Sequence, residues 1–314
     1  MVIANIMTPS RSRRQFGIQV LKTGIALTGL NLTGSALQAL EPFNRPGKPR
    51  LSLGLAAYSF RDYFNHKDPD KRIDMFDFID FCADNGCDGG ELTSYYFPKE
   101  VTQAYLVKLR RKAFLRGIEI TGTAIGNRFT LPSGPELESQ KQTLKDWINH
   151  AVVMGAPHIR VFAGSPKGVS VTKATQNCVD ALKECADYAG ERGIFLGLEN
   201  HGGIVATAEG ILNILHAVDH PWLGINLDTG NFHTADPYRD LERCAPFAVN
   251  VQLKGEIHIE GKDRQPADIS RLIQILRKVN YQGYVTLEYE LREDPYSGIP
   301  PLLQNIRSNL ATPA

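Results

Sequence analysis

The sequence predicts an α/β protein whose eight parallel strands close into a (β/α)₈ barrel. From residue 51 onward, short apolar runs alternate eight times with longer segments of helical periodicity. Four predicted helices end in a glycine just before the next strand, as suits a left-handed helix end: Gly86, Gly117, Gly155 and Gly193. No GxGxxG or GxxxxGKS/T turn follows a strand, which disfavours an open nucleotide-binding sheet.

The predicted elements follow one another in strict alternation. The strands are residues 51–57, 89–93, 117–124, 158–163, 194–199, 223–228, 249–254 and 284–290. The helices are residues 70–85, 99–116, 135–154, 171–192, 206–218, 237–244, 266–280 and 300–310. Eight such pairs close naturally as a barrel, whereas an open doubly wound sheet normally has fewer strands.

Length and composition bound the function. The 314 residues suit one barrel with a leader, and residues 41–314 are predicted to form a single catalytic domain. The sequence has 35 Lys plus Arg and 34 Asp plus Glu, which give a net charge of +1. Because so small a charge does not attract polyanions, no nucleic-acid partner is expected. The five cysteines form no CxxC pair, which predicts buried free thiols rather than zinc fingers or a disulfide framework.

Residues 1–40 carry a separate prediction. The run Ser-Arg-Arg-Gln-Phe at residues 12–16 precedes a mildly apolar stretch, which is typical of a bacterial twin-arginine signal peptide and of export to the periplasm. An ordinary amphipathic helix is the alternative, and a cytoplasmic location would follow from it. The stretch is too polar for stable membrane insertion, since Lys22, Asn31 and several Gly and Thr residues interrupt it.

Four consecutive predicted strands each end with one polar residue between apolar ones. These residues are Glu199, Asp228, Gln252 and Glu288. Barrel strands point alternate side chains into the lumen, so all four are expected there, at the carboxyl-terminal end where barrel enzymes hold their chemistry. Three converging carboxylates would repel one another unless a cation neutralised them.

One divalent metal ion is the predicted cation. Three carboxylates and an amide oxygen form a hard, all-oxygen ligand set, which favours Mn²⁺ or Mg²⁺, with Zn²⁺ or Co²⁺ as alternatives. For each residue taken alone, a salt bridge or a helix cap is the simpler interpretation. Their joint placement on four neighbouring strands favours a metal site.

The residues around these positions resemble a known family. Glu-Asn-His at residues 199–201 and Asp-Thr-Gly-Asn at residues 228–231 are similar to motifs of the xylose isomerase-like TIM barrels. Within them, the sugar phosphate isomerase/epimerase group with its ketose 3-epimerases is the most similar, over about residues 51–310. The resemblance implies that Glu199 and Glu288 bind metal and form the catalytic acid/base pair, while Asp228 is a ligand only. Gln252 departs from it, because many members carry a histidine there.

The function expected from such a site is metal-dependent isomerisation or epimerisation of a sugar or sugar derivative. A carboxylate removes the proton beside a carbonyl, the cation stabilises the enediolate, and reprotonation elsewhere gives the product. The alternatives are a lyase or hydratase acting on 3-keto sugars or glycosides, and a barrel that binds sugar without catalysis. Endonuclease IV chemistry is disfavoured, since it requires a histidine-rich trinuclear zinc cluster. Export argues against a phosphorylated substrate.

Four further polar residues are predicted to contact the substrate. Arg160 and Glu91 lie on strands, and a structural ion pair is the alternative role of each. His201 follows Glu199 by two residues and is expected in the substrate layer. Lys254 shares a strand face with Gln252, where its ammonium would stabilise an enolate oxygen or balance the acidic cluster. The sequence leaves a homo-oligomer open.

Overall fold

The structure is a computed structural model that describes residues 41–312. Its strands are β1 (Arg50–Ala56), β2 (Gly89–Thr93), β3 (Glu119–Ala124), β4 (His158–Val161), β5 (Phe195–Glu199), β6 (Leu223–Asp228), β7 (Ala248–Leu253), β8 (Glu256–Ile257), β9 (Gln265–Pro266) and β10 (Gln282–Leu287). Eight of them pair in parallel and close in the order β1-β10-β7-β6-β5-β4-β3-β2. The predicted (β/α)₈ barrel is therefore confirmed. Strands β8 and β9 form a small antiparallel sheet that the sequence did not predict.

The helices surround the barrel strands. They are α1 (Arg61–Phe64), α2 (Met75–Asp84), α3 (Gln103–Leu115), α4 (Pro135–Met154), α5 (Val171–Gly190), α6 (Ala208–Val218), α7 (Pro237–Cys244), α8 (Ile269–Lys278) and α9 (Pro295–Ala311). The glycines predicted to end four helices, at positions 86, 117, 155 and 193, all have positive φ, between +67° and +80°. Among residues 41–312, no helix is both long and apolar enough to cross a membrane.

Two helices begin five residues away from their predicted first residue. The first was predicted from residue 70, but α2 begins at Met75, because the Asp74 carboxylate accepts from the backbone N–H groups of Phe76 and Asp77 in a capping box. The last was predicted from residue 300, but α9 begins at Pro295, after an Asp294 cap, and runs through two prolines.

The strand bounds position the site. Strands β2 and β6 have their predicted bounds, whereas β10 ends at Leu287 rather than at residue 290. Leu287 pairs with Leu253, the last residue of β7, so the ladder stops there. Glu288 and Lys254 thus follow directly after neighbouring strands, at the carboxyl-terminal mouth of the barrel.

An apolar shell between strands and helices forms the core. All five cysteines are buried in it as free thiols, as predicted. Residues 1–40, with the predicted twin-arginine signal, lie outside the described residues.

Candidate active site

The four predicted strand-end residues are buried together in the lumen. Glu199 is 3% exposed, Asp228 and Gln252 are 0% exposed, and Glu288 is 5% exposed. Asp228 and Gln252 have adjacent backbones, because they lie opposite each other across the β6–β7 ladder. The side-chain amide of Gln252 also donates to Glu288 at 3.4 Å. The sequence prediction that strand ends bring these residues together agrees with this geometry.

Lys254 binds three carboxylates at once. Its ammonium donates to Glu288 Oε2, contacts Glu290 Oε2 at 2.6 Å and lies 3.4 Å from Asp228 Oδ2. Asp228 Oδ2 is buried and accepts no hydrogen bond from any residue in the described part of the chain. The second oxygen of this carboxylate accepts from the Gly230 N–H at 2.8 Å. The lysine thus occupies the point at which the three carboxylates converge.

Glu199 has a separate cation. Arg160 Nε lies 2.9 Å from Glu199 Oε2, and Asn231 donates to Glu199 Oε1 at 2.9 Å. The guanidinium also donates to the Ile125 carbonyl oxygen at 2.7 Å and lies 3.9 Å from the centre of the Phe162 ring. Arg160 therefore has the buried ion pair named as its structural alternative, and its contact with substrate stays a prediction. We call Lys254, Arg160 and their carboxylates the charged cluster; its members are Arg160, Glu199, Asp228, Lys254, Glu288 and Glu290.

A second group of polar side chains, which we call the amide cluster, consists of Glu91, Asn226, Asn250 and Gln252. Glu91 accepts from Gln252 and from Asn250, both at 2.8 Å. Asn226 donates to Gln252 Oε1 at 2.7 Å and accepts from Asn250 at 2.7 Å. All four residues are at most 2% exposed. The side-chain N–H groups of Gln252 thus donate to carboxylates, and its side-chain oxygen accepts from Asn226.

His158 packs beside the amide cluster. Its Nδ1 hydrogen bonds to the Thr121 carbonyl oxygen at 2.9 Å, and its Nε2 lies 3.8 Å from Glu91 Oε2. Gly122 makes room for the ring, because a Cβ there would lie 1.9 Å from His158 Cε1. Burial lowers the pKa of His158 to about 4, so the imidazole is neutral at neutral pH.

Burial also shifts the acids towards neutrality. The pKa of Glu199 rises to about 7, mainly because burial disfavours the carboxylate, although Arg160 opposes the shift. Burial raises the pKa of Asp228 to about 8 against the charge of Lys254, and burial together with the Glu288 charge raises the pKa of Glu91 to about 7. For Lys254, burial lowers the pKa, but the surrounding carboxylates outweigh it and raise the pKa overall. Groups that titrate near neutral pH are suited to exchanging protons.

The predicted metal ion does not fit this side-chain arrangement. Within residues 41–312, no three His, Cys, Asp or Glu side chains are grouped so that they could hold a metal ion. The Lys254 ammonium lies between Asp228 and Glu288, and the Gln252 oxygen is already bonded to Asn226. The metal and its four-residue ligand set therefore stay predictions.

The remaining predicted residue, His201, lies at the exposed rim. Its ring packs against Phe162, with centroids 4.6 Å apart. Four residues of the two clusters and their contacts were not predicted from the sequence: Asn226, Asn231, Asn250 and Glu290. Three of them had a signal, because Asn226, Asn250 and Glu290 each lie two residues from a predicted site residue. Asn226 and Asn250 also share the strand face of that residue.

The chain belongs to the xylose isomerase-like TIM barrel family, whose sequence profile matches residues 79–310. The family resemblance seen in the motifs is therefore confirmed. A 3-dehydroshikimate dehydratase of Bacillus anthracis is 23% identical over 186 residues, which cover 58% of this chain and 66% of that protein. A 3-oxo-isoapionate decarboxylase of Pectobacterium atrosepticum is 26% identical over 207 residues, which cover 65% and 68%. This chain thus matches about two thirds of the length of each relative.

Solved structures show the same fold. The D-psicose 3-epimerase of Clostridium cellulolyticum H10, crystallised with D-tagatose, superposes with a TM-score of 0.68 at 15% identity. The superposition covers 83% of this chain and 100% of the epimerase. The likeness to this epimerase shows a shared fold.

Proposed function

We propose that this protein is an enzyme that isomerises or epimerises a sugar or sugar derivative by proton transfer next to a carbonyl group. The observation that carries the proposal is the pair Glu199 and Glu288. They are buried carboxyl groups, Glu199 at the end of β5 and Glu288 directly after the non-adjacent strand β10, and each is paired with its own cation. Two separately held acids suit a reaction in which one group removes a proton and another returns one.

The charged cluster supplies the steps of such a reaction. One carboxylate takes the proton from the carbon beside the carbonyl, and the electron pair moves onto the carbonyl oxygen. The Lys254 ammonium is the nearest buried cation to Glu288 and would stabilise that oxyanion. In epimerisation, the other carboxyl group protonates the same carbon from the opposite face as the oxyanion returns to the carbonyl. In isomerisation, the hydroxyl proton of the deprotonated carbon moves to the oxyanion, and the other carboxyl group protonates the former carbonyl carbon. These steps use only side chains of this chain, and dependence on Mn²⁺ or Mg²⁺ stays a prediction from the converging carboxylates and the amide oxygen.

Elimination is the second candidate reaction. It begins with the same carbanion, after which a neighbouring hydroxyl leaves with a proton from the second acid. The Bacillus anthracis relative, named a dehydratase, favours this candidate. The twin-arginine prediction adds that the substrate is an unphosphorylated compound met outside the cytoplasm.

A product screen with the full-length protein tests the proposal. Ketoses, 3-keto-glucosides and cyclic keto acids would be incubated with enzyme and followed by NMR and mass spectrometry. A product of unchanged mass identifies an isomerase or epimerase, and loss of one water identifies a dehydratase. Binding of these sugars without any turnover would contradict the proposal in favour of a sugar-binding barrel.

A further inference from the structure

We propose that the Lys254 ammonium is the resident cation of this site and occupies the position that a divalent metal would otherwise take. The inference rests on the proposed function in one respect, because Lys254 pairs with Glu288, which is one of the two proposed proton-transferring groups. Its evidence is the arrangement of two groups of side chains around Asp228 and Glu288.

The first observation is where the ammonium lies. Lys254 contacts the carboxylates of Asp228, Glu288 and Glu290, all within 3.4 Å of Nζ. A metal shared by Asp228 and Glu288 would need oxygens about 2.0–2.2 Å away, which places it in the same space as Nζ. Two cations cannot share that position, because they would both collide and repel each other.

The second observation is that Gln252 does not offer its oxygen. Asn226 donates to that oxygen, while the Gln252 amide nitrogen donates to Glu91 at 2.8 Å. Turning the amide over would place its oxygen against the Glu91 oxygen and its N–H groups against the Asn226 donor. Both faces would then lose a buried hydrogen bond, at a cost of about 1–3 kcal/mol each. The residue that departs from the family's histidine is therefore held as a hydrogen-bond donor rather than as a ligand.

Lys254 thus supplies positive charge to the carboxylates of Asp228, Glu288 and Glu290. Lys254 follows strand β7, and its backbone N–H is fixed by Thr229 Oγ1 at 2.9 Å, so the side chain begins at a defined point. Its side chain is 9% exposed, so the ammonium is sealed among its acids. A lysine held in this way can stabilise an oxyanion without recruiting an ion from solution.

Metal binding, measured apart from activity, tests the inference. The full-length protein, Lys254→Ala and Lys254→Ala/Glu288→Gln would be stripped with a chelator and titrated calorimetrically with Mn²⁺, with circular dichroism confirming the fold of each. We expect wild type to bind Mn²⁺ with a Kd no tighter than about 1 mM. Lys254→Ala should bind Mn²⁺ at least about tenfold more tightly than wild type, because three carboxylates lose their cation. The double variant Lys254→Ala/Glu288→Gln should not show this increase in affinity.

Two results would overturn the inference. One is micromolar binding of one Mn²⁺ by wild type that Glu288→Gln abolishes, and the other is a folded Lys254→Ala that gains no affinity. Neither result bears on whether Glu199 and Glu288 transfer protons, since the product screen reports that separately.

Discussion

The amide cluster and the charged cluster lie side by side in one lumen, yet they satisfy their carboxylates in opposite ways. Glu91 is held by neutral amide donors from β7 and is fully sealed. Glu199 and Glu288 are held by cations, and their cluster extends to Glu290, whose side chain is 36% exposed. A carboxylate held by neutral amides has a structural role. A carboxylate paired with a cation near solvent can take part in catalysis.

The largest effect is expected in the charged cluster. Glu288→Gln should lower turnover by a factor on the order of 10² to 10⁴, because the amide keeps the shape but cannot accept a proton. Its melting temperature should stay close to wild type, since Lys254 retains Asp228 and Glu290. The matched control is Glu290→Gln, which removes another Lys254 contact and should leave turnover within about tenfold. Equal losses in the two variants would show that the carboxylates act only through Lys254.

Glu199→Gln should differ from Glu288→Gln in stability. Among the described residues, Glu199 is the carboxylate with which Arg160 forms an ion pair. Its loss leaves a buried guanidinium uncompensated, at a cost of about 3–5 kcal/mol. Chemical unfolding of both variants checks this. Unchanged stability of Glu199→Gln would contradict the buried ion pair.

In the amide cluster, the expected effect is on folding rather than on rate. Glu91→Gln would turn an N–H group towards the donor of Asn250 or of Gln252, leaving one buried donor unsatisfied at a cost of about 1–3 kcal/mol. Urea unfolding and steady-state kinetics on the same sample separate the two outcomes. A large fall in turnover with unchanged stability would show that Glu91 takes part in substrate binding or catalysis. It would contradict the distinction between a structural amide cluster and a catalytic charged cluster.

A pH-dependent effect is expected from His158. Its pKa of about 4 in the folded protein lies below the ordinary 6.5, so the unfolded chain binds the proton more readily. The stability that the neutral ring contributes is present above pH 6.5 and is lost as pH falls towards 4, by up to about 3 kcal/mol. Facing groups are Glu91 at 3.8 Å, Arg160 and Asn226. Chemical unfolding would be measured at pH 7 and at pH 5. Between these pH values, the free energy of unfolding should fall less for His158→Gln than for wild type. The control His201→Gln, at the exposed rim, should lose as much as wild type.

The sequence predicts the charged cluster better than the amide cluster, for a physical reason. Acidic residues that directly follow leucine at strand ends identify Glu199, Asp228 and Glu288, because residue type and strand order are local properties. The orientation of Gln252 depends on Asn226 and Asn250 across the β6–β7 ladder, and the position of the Lys254 ammonium depends on three other chain segments. Sequence spacing does not reveal contacts between distant chain segments, so the convergence of Asp228, Glu288 and Glu290 on Lys254 could not be predicted from the sequence.

Proton transfer by the charged cluster is tested most directly by exchange with solvent. A substrate found in the product screen would be converted in D₂O by wild type and by Glu288→Gln, and the carbon next to the carbonyl would be examined by NMR. We predict that wild type places deuterium at this carbon and that Glu288→Gln does so slower by a factor on the order of 10² to 10⁴. A product free of deuterium, as a hydride shift gives, or undiminished labelling by Glu288→Gln, would contradict the claim.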